Sequence, residues 1–353
     1  MTGTAWREKR PASEALPQRI IPFLETWVAL RGRRSEGLNA TITAVAGLEA
    51  GHYTDLGNAT GCTVIICRQG AVGGVDVRGG SPGTRETDLL RPGRRVDRVH
   101  AVVLSGGSAF GLDAASGVAA YLAERGIGIR IGPAVVPIVS AAILFDLGLV
   151  TSEVRPGATE GRVACLAASG RPLPEGSVGA GTGATVAKAL GMAAAVKSGI
   201  GSASLTLPGG VIVAAAVAVN AYGGIFDYRS GGLVAGPRRE DGAGYYDPVD
   251  LALREGNGEA DPPMANTTIG VVATDAALSK EEANYLAGVS HDGLALTIRP
   301  CHTMMDGDTM FAMATGRSQR RVGLTALGAA AVEVTAQAVL RAVRAATGLG
   351  GVP

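Results

Sequence analysis

Residues 266–272 read NTTIGVV, and they mark the sharpest change of character along the chain. The stretch before them, residues 230–265, is rich in glycine, proline and charged residues, which is typical of loops. The segment from Thr267 to Thr274 is instead a continuous run of apolar and β-branched residues, as in a strand covered on both faces. Because long structureless stretches inside a domain are uncommon, we predict that residues 230–265 form a surface loop or linker, or a pro-segment whose end is cut.

Strand-like and helix-like segments alternate on both sides of this stretch. We predict strands at Cys62–Cys67, Gly73–Val77, Val99–Leu104, Val211–Val219, Thr267–Thr274 and Thr309–Ala314. We predict helices at Ala109–Arg125, Thr182–Val196, Lys280–Leu294 and Thr325–Ala346. Ser279 and Glu282 have the spacing of a capping box before the third helix. Apolar strands covered by helices indicate a layered α/β domain over residues 36–353, preceded by an N-terminal extension over residues 1–35.

The composition excludes several classes of protein. The chain has 353 residues, 32 basic and 31 acidic, so its net charge of +1 offers no positive surface for nucleic acid. No uninterrupted apolar run reaches the ~18 residues of a membrane span, so we expect no membrane partner. The four cysteines lack the paired spacing of a zinc site. We therefore predict free thiols, a cytoplasmic location, and no metal or other cofactor.

Familiar catalytic motifs are incomplete. The GAGTGA sequence at 179–184 does not follow a strand, as a dinucleotide-binding fingerprint must, and Lys197 lacks the preceding glycine of a P-loop. The GGSAFG sequence at 106–111 departs from the G-x-S-x-G spacing of a nucleophile elbow. The four histidines offer no evident catalytic partner, and we interpret His302, beside Cys301, as a packed or solvent-edge residue.

Two carboxylates and one threonine remain as candidates for chemistry. Asp306 and Asp308 are too few for an EF-hand, but in an extended strand they would face one side. A metal, a lysine or a shared proton must then offset their charge. Thr267 would gain its own base if the chain were cut before it, because a free α-amine has a pKa of about 7.7–8.0. Thr267 could begin that cleavage itself, by attacking the carbonyl carbon of Asn266.

Six segments in order, spanning about residues 38–345, together resemble one family. They are VDVRGGSPGTRET at 75–87, LSGGSAFGLDAAS at 104–116, GAGTGATVAK at 179–188, VAVNAYG at 217–223, NTTIGVV at 266–272 and DGDTMFAMAT at 306–315. The family is that of self-cleaving hydrolases which includes the L-aminopeptidase/D-amino-acid esterases, the β-peptidyl aminopeptidases and the nylon-oligomer endo-hydrolases. The resemblance implies a four-layer α/β/β/α fold of the N-terminal-nucleophile kind. It also implies cleavage into an α chain ending at Asn266 and a β chain beginning at Thr267, and assembly as a homo-oligomer, a tetramer of such pairs.

The resemblance also assigns roles to single residues. Thr267 matches the nucleophile, and Asp306 and Asp308 match the pair that orients and activates its amine. Lys188 matches a basic residue of the site that would neutralise one aspartate, and Asn220 matches a side chain that helps to hold the oxyanion.

The chain departs from each branch of the family at one point. The nylon-oligomer branch has a tyrosine in the substrate pocket where this chain has Phe145, so a polar contact is lost. The peptidase branch has Ser-x-Glu where this chain has Asp306-Gly307-Asp308, which is more similar to the nylon-oligomer branch. The chemistry is thus better defined than the substrate.

These observations favour an amidohydrolase that forms an acyl-enzyme on Thr267. Its expected substrates are small peptides, amino-acid amides or linear oligoamides. Two alternatives stay open: an acyltransferase similar to the self-cleaving ornithine acetyltransferases, and a non-catalytic small-molecule binding protein. The full set of Thr267, Lys188, Asn220 and both aspartates argues against the binding protein, which needs no activated nucleophile.

Overall fold

The computed structural model describes residues 39–254 and 266–353, and residues 39–353 form one unit. The strands in the described ranges are β1 (Glu49–Asp55), β2 (Thr60–Val77), β3 (Thr84–Arg85), β4 (Arg98–Ser105), β5 (Ile129–Ile131), β6 (Ala134–Val136), β7 (Val139–Ile143), β8 (Thr185–Val186), β9 (Val196–Lys197), β10 (Ile200–Thr206), β11 (Ile212–Asn220), β12 (Gly224–Phe226), β13 (Leu233–Ala235), β14 (Thr267–Thr274), β15 (Ile298–Arg299) and β16 (Thr309–Ala314). The α-helices there are α1 (Ala114–Ala123), α2 (Ala158–Ala167), α3 (Pro248–Arg254), α4 (Lys280–Thr297) and α5 (Leu324–Arg344).

The long strand β2 joins two halves of a nine-stranded sheet. The order is β10-β11-β14-β16-β2-β4-β7-β3, with β1 paired to β2 as well. The first part of β2 pairs with β1 and β4, and its last six residues pair with β16. The register with β4 shifts between Ile66 and Ala71, and such an irregularity lets a strand bend. The strand can therefore contribute to both halves.

Three buried apolar clusters define four layers. The first cluster separates the helices α4 and α5 from one face of the strands β11, β14 and β16. The second cluster separates the opposite face of these strands from the strands β2, β4 and β7. The third lies between β2 and β4 and the helices α1 and α2. Because side chains alternate along a strand, Val217 belongs to the first cluster while Ala216 and Ala218 belong to the second. The α/β/β/α order implied by the resemblance is present, and it explains the continuous apolar strands.

Glycines on the sheet allow the helices to approach it closely. A Cβ at Gly74 would lie 2.4 Å from the backbone of Ala283 in α4. A Cβ at Gly201 would lie 2.1 Å from the carbonyl oxygen of Ala338 in α5. Both distances are far below van der Waals contact, so a side chain at either position would push a helix away and open the first cluster.

The start of α4 and the packing of α5 follow from their sequences. Ser279 accepts a hydrogen bond from the amide of Glu282, and the Glu282 carboxylate accepts one from the amide of Ser279, so the capping box is confirmed. Of the described helices, α5 alone has the length and hydropathy of a membrane span, but 61% of its apolar window is buried inside the fold. Its composition is accounted for by this packing.

Two predictions of secondary structure are wrong. The predicted helix Thr182–Val196 is a pair of short strands, β8 and β9, joined by turns, because backbone amides there bond across space instead of along a helix. The amide of Lys188, for example, donates to the carbonyl of Tyr222 at 3.0 Å. The predicted structureless stretch 230–265 contains β13 and α3, and residues 255–265 lie outside the described ranges. The predicted strands Cys62–Cys67 and Gly73–Val77 are parts of the one strand β2.

Candidate active site

Thr267 is the first residue of β14 and is buried, with 4% of its surface exposed. It pairs with Asn220, the last residue of the antiparallel neighbour β11. On its other side, Asn266 forms a parallel bridge with Asp306. Thr267, Asn220 and Asp306 therefore lie close together at one end of β14, and backbone pairing fixes their positions.

The carbonyl oxygen of Asn266 lies between two hydrogen-bond donors. The hydroxyl of Thr267 donates to it from one side, and the amide of Gly307 donates to it at 3.0 Å. Gly307 also lies against the hydroxyl itself, because a Cβ on this residue would be 2.8 Å from Thr267 Oγ1. The hydroxyl, the carbonyl of the preceding peptide bond and a backbone donor are thus assembled in one place.

Asp308 fixes the backbone on the other side of Thr267. Its Oδ1 accepts from the amide of Thr268 at 2.6 Å. Its Oδ2 accepts from the amide of His302 at 3.1 Å and lies 2.7 Å from Nδ1 of the same residue. Both oxygens of this buried carboxylate therefore accept hydrogen bonds, which fixes its orientation.

Asp306 is held by different donors. Its Oδ1 accepts from the amide of Tyr222 at 3.2 Å, and its Oδ2 accepts from the amide and the hydroxyl of Thr303 at 3.1 and 2.5 Å. Burial, followed by the charge of Asp308, raises the pKa of Asp306 to about 6. Both carboxylates precede β16, which begins at Thr309 as predicted. The condition under which they would share one face, an extended strand, does not apply to them.

Lys188 is buried beside Asn220. Its Nζ donates to the main-chain oxygen of Asn220 at 3.1 Å and to its side-chain Oδ1 at 2.8 Å. Burial lowers the pKa of Lys188 to about 7, although the charges of Asp306 and Asp146 act in the opposite direction. An amine with this pKa is available in its neutral form close to neutral pH, so it can accept a proton.

Asn220 connects this lysine to a neighbouring loop. Its Oδ1 also accepts from the amide of Thr185 at 3.0 Å, and its Nδ2 donates to the carbonyl of Phe145 at 3.0 Å. Phe145, predicted as a pocket residue, is half-buried and contributes this carbonyl. The next residue, Asp146, accepts from Thr60 Oγ1 and from the amide of Gly107, and burial raises its pKa to about 6.

One set of side chains in the described ranges resembles a metal site. Ligand atoms of Cys301, His302 and Asp308 lie within 4.8 Å of one another. However, His302 and Asp308 are hydrogen-bonded to each other, and the second oxygen of Asp308 is used by Thr268. Burial also raises the pKa of the Cys301 thiol, which favours its protonated, non-ligating form. The set is better described as a hydrogen-bonded pair beside a buried thiol.

The residues proposed from the sequence thus come together, and several others join them. Thr267, Asn220, Lys188 and both aspartates are linked directly or through one another, and Phe145 bounds them. Sequence reasoning missed the roles of Gly307, His302, Thr303 and Asp146. Gly307 is the middle residue of the DGD segment and could have been noticed there. His302 and Thr303 follow no general spacing rule, and a loop from another part of the chain brings in Asp146.

Comparisons with known proteins identify the family of the chain. The sequence model of peptidase family S58 matches residues 40–353. A protein of Mycobacterium leprae, described as an uncharacterized aminopeptidase, is 42% identical over 343 residues, covering 89% of this chain and 92% of that protein. The 6-aminohexanoate-oligomer endohydrolase of Kocuria sp. is 36% identical over 307 residues, covering 83% of this chain and 82% of that enzyme.

Solved structures support the fold. The β-aminopeptidase of Burkholderia sp. has a TM-score of 0.63 with 24% identity and covers 91% of both chains. The L-aminopeptidase D-Ala-esterase/amidase of Ochrobactrum anthropi, described as a variant of the Ntn-hydrolase fold, has a TM-score of 0.65 with 20% identity and covers 90% of this chain and 89% of that one. The predicted N-terminal-nucleophile fold is thereby confirmed. The chain belongs to peptidase family S58 and is a hydrolase.

Proposed function

We propose that this hydrolase cuts its own Asn266–Thr267 bond and then uses Thr267 as an N-terminal nucleophile to hydrolyse amide bonds. One observation carries the proposal: the hydroxyl of Thr267 and the amide of Gly307 both point at the carbonyl oxygen of Asn266. A nucleophile and a backbone donor on the same carbonyl are the two elements that acyl transfer requires.

Self-cleavage would proceed through an ester. Oγ of Thr267 attacks the carbonyl carbon of Asn266, and negative charge develops on the oxygen to which Gly307 donates. The hydroxyl proton passes to a base, for which Lys188 is suited because burial lowers its pKa to about 7. The peptide nitrogen takes a proton as the C–N bond breaks, which leaves an ester between Asn266 and Thr267 Oγ. Water hydrolyses this ester to a carboxylate on Asn266 and the hydroxyl of Thr267, whose α-amine was freed when the C–N bond broke.

Turnover would repeat this chemistry on a substrate. The new α-amine accepts the hydroxyl proton while Oγ attacks the substrate amide, and an acyl-enzyme forms as the amine product leaves. Asp308 and Asp306 hold the segments on both sides of Thr267 through Thr268 and Tyr222. Asn220, directly opposite Thr267, is a candidate donor to the oxyanion because its side-chain amide is a hydrogen-bond donor beside the nucleophile. Water then hydrolyses the acyl-enzyme.

Small peptides, amino-acid amides and linear oligoamides are the proposed substrates. The names of the relatives support this range, since one is an aminopeptidase and another an endohydrolase of 6-aminohexanoate oligomers. Assembly as a tetramer and a cytoplasmic location remain predictions, which size-exclusion chromatography with light scattering and cell fractionation would test.

The decisive experiment is an intact-mass spectrum of the denatured purified protein, followed by an assay with amino-acid amides and 6-aminohexanoate oligomers. We expect two chains, divided between Asn266 and Thr267, and release of amine from at least one substrate class. A single full-length chain without hydrolysis would contradict the proposal and favour the binding protein. Two chains that transfer the acyl group to an added amine in preference to water would favour the acyltransferase.

A further inference from the structure

We propose that His302 is a positioning residue of this site, which holds the Asp308 carboxylate oriented against the backbone that follows the nucleophile. The inference rests on the proposed function, since it concerns the same Thr267. It adds a residue that neither the sequence motifs nor the family comparison identifies, and one that does not itself touch the reacting atoms.

The geometry links His302 to Thr267 in two steps. His302 contacts Oδ2 of Asp308 twice, through its amide at 3.1 Å and its Nδ1 at 2.7 Å. The other oxygen of Asp308 accepts from the amide of Thr268 at 2.6 Å. The carboxylate therefore spans from the imidazole to the peptide that joins Thr267 to Thr268, and its orientation determines where that peptide lies.

The hydrogen bond also determines which nitrogen of His302 carries a proton. Where the carboxylate oxygen is the acceptor, Nδ1 is the donor. The backbone of His302 has a φ of 58°, in the left-handed region, where histidine, asparagine and aspartate are enriched among the non-glycine residues. This conformation aims both the amide and the ring nitrogen at the same oxygen, which is a reason to keep the strained backbone.

The ring is enclosed by groups from three parts of the chain. The His291 ring of α4 packs edge-on against it, with ring centroids 4.8 Å apart, and His291 Nε2 lies 3.1 Å from the carbonyl of Asp76 in β2. The other titratable or charged groups that face this region are Cys301, Asp306, Asp308, Asp76 and Arg78. Burial lowers the pKa of His291 to about 4, so that ring stays neutral and adds no positive charge beside His302 above this pH.

Removing the Nδ1 donor should leave the Asp308 carboxylate freer to rotate, and the amide of Thr268 would then lose a fixed acceptor. Substrate binding need not change, because His302 contacts Asp308 and not Thr267. The expected signature is a lower kcat with little change in KM.

Two variants of His302 separate the lost hydrogen bond from backbone strain. Asparagine and glycine both tolerate the left-handed conformation, but only asparagine offers a side-chain donor near the Nδ1 position. We expect His302→Gly to lower kcat about 10- to 100-fold, the range for a lost hydrogen bond to a charged group, with little change in KM. His302→Asn should restore most of kcat. Equal kcat values for the wild type and His302→Gly, or no rescue by asparagine in a folded protein, would overturn the positioning role.

Nuclear magnetic resonance of ¹⁵N-histidine-labelled protein provides a readout that does not depend on turnover. We expect a slowly exchanging Nδ1 proton in the wild type, which disappears in His302→Asn and shifts in Asp308→Asn. Hydrolysis by the wild type without this signal would overturn the inference and leave the proposed function intact. A wild type with this signal that neither self-cleaves nor hydrolyses amides would instead overturn the proposed function, and with it the part of His302 in turnover.

Discussion

The side chains of Asn220 and Thr267 project from the same face of the sheet, because the two residues are directly opposite in the antiparallel pairing of β11 and β14. Residues in such a pair have Cβ atoms about 5 Å apart. Lys188 joins this pair through two hydrogen bonds to Asn220. Strand pairing therefore positions Thr267 and Asn220, and hydrogen bonds to Asn220 hold the amine of Lys188, which lies outside the strands.

Replacement of Asn220 by alanine tests its part in holding the oxyanion. We expect Asn220→Ala to lower kcat by about 10²–10³-fold, the usual effect of removing one such donor. Thr185→Val is a matched control, because it removes a 3.4 Å side-chain contact to Asn220 and a 3.9 Å contact to Met192 Sδ but keeps the backbone donor to Asn220 at 3.0 Å. Steady-state kinetics with an amino-acid amide would measure both. Equal kcat values for Asn220→Ala and the wild type would remove Asn220 from the oxyanion site.

Adjacent threonines offer a direct test of the nucleophile. Thr267→Ala should remain a single chain, since no hydroxyl is left to attack the Asn266 carbonyl. Thr268→Val should mature normally, because the Thr268 hydroxyl is buried without a hydrogen-bond partner among the described residues. Valine has a similar side-chain volume, and its backbone amide still donates a hydrogen bond to Asp308. Intact-mass spectra of the two variants decide the matter. Two mature chains from Thr267→Ala would exclude self-cleavage by this residue.

The charge of Asp306 should be visible in the pH dependence of self-cleavage. Lys188 has a pKa lowered to about 7, so cleavage by the neutral amine should rise with pH through this value and then level off. Asp306 raises the pKa of Lys188. In Asp306→Asn that charge is lost and the pKa of Lys188 falls. The midpoint of the rise in self-cleavage rate with pH should therefore move to lower pH by about one unit or more.

To test this prediction, the rate of self-cleavage of newly synthesised protein is measured in buffers between pH 5 and 9. The overall rate should also fall, since asparagine cannot accept from Tyr222 and Thr303 as a carboxylate does. A midpoint that stays in place while the rate falls would show that Lys188 is not the titrating base.

The parts of the fold that the sequence predicts are those with local causes. The strands Thr267–Thr274 and Thr309–Ala314 have the predicted bounds, because each is a continuous apolar run that ends at a polar residue or a glycine. Helix α4 begins where its capping box predicts. The segment at 182–196 was predicted wrongly because its small residues suit a helix, whereas its amides bond to a distant loop.

The same distinction applies to the site. The resemblance identifies Thr267, Lys188, Asn220 and both aspartates, since they lie in short recognisable segments. His302 was interpreted as a packed residue because nothing in the sequence indicates that its ring reaches Asp308, six residues away. Asp146 is similar, since its partners Thr60 and Gly107 come from two other elements. Contacts of this kind depend on the tertiary structure, and a single sequence does not encode them in any spacing rule.

A substitution at Gly307 tests sterically whether the backbone must lie close to the Asn266 carbonyl and the Thr267 hydroxyl. A Cβ at this residue would lie 2.7 Å from the carbonyl oxygen of Ser81 and 2.8 Å from Thr267 Oγ1, so both groups would have to move. We expect Gly307→Ala to slow self-cleavage about 10-fold or more, since small displacements of reacting groups cost rates of this order. Gly170→Ala is the matched control, because nothing lies within 4 Å of its Cβ position. Intact mass against time, with thermal unfolding to show that both variants fold, provides the comparison. Maturation of Gly307→Ala at the wild-type rate would mean that the backbone at Gly307 does not need to lie against Thr267 for the bond to break.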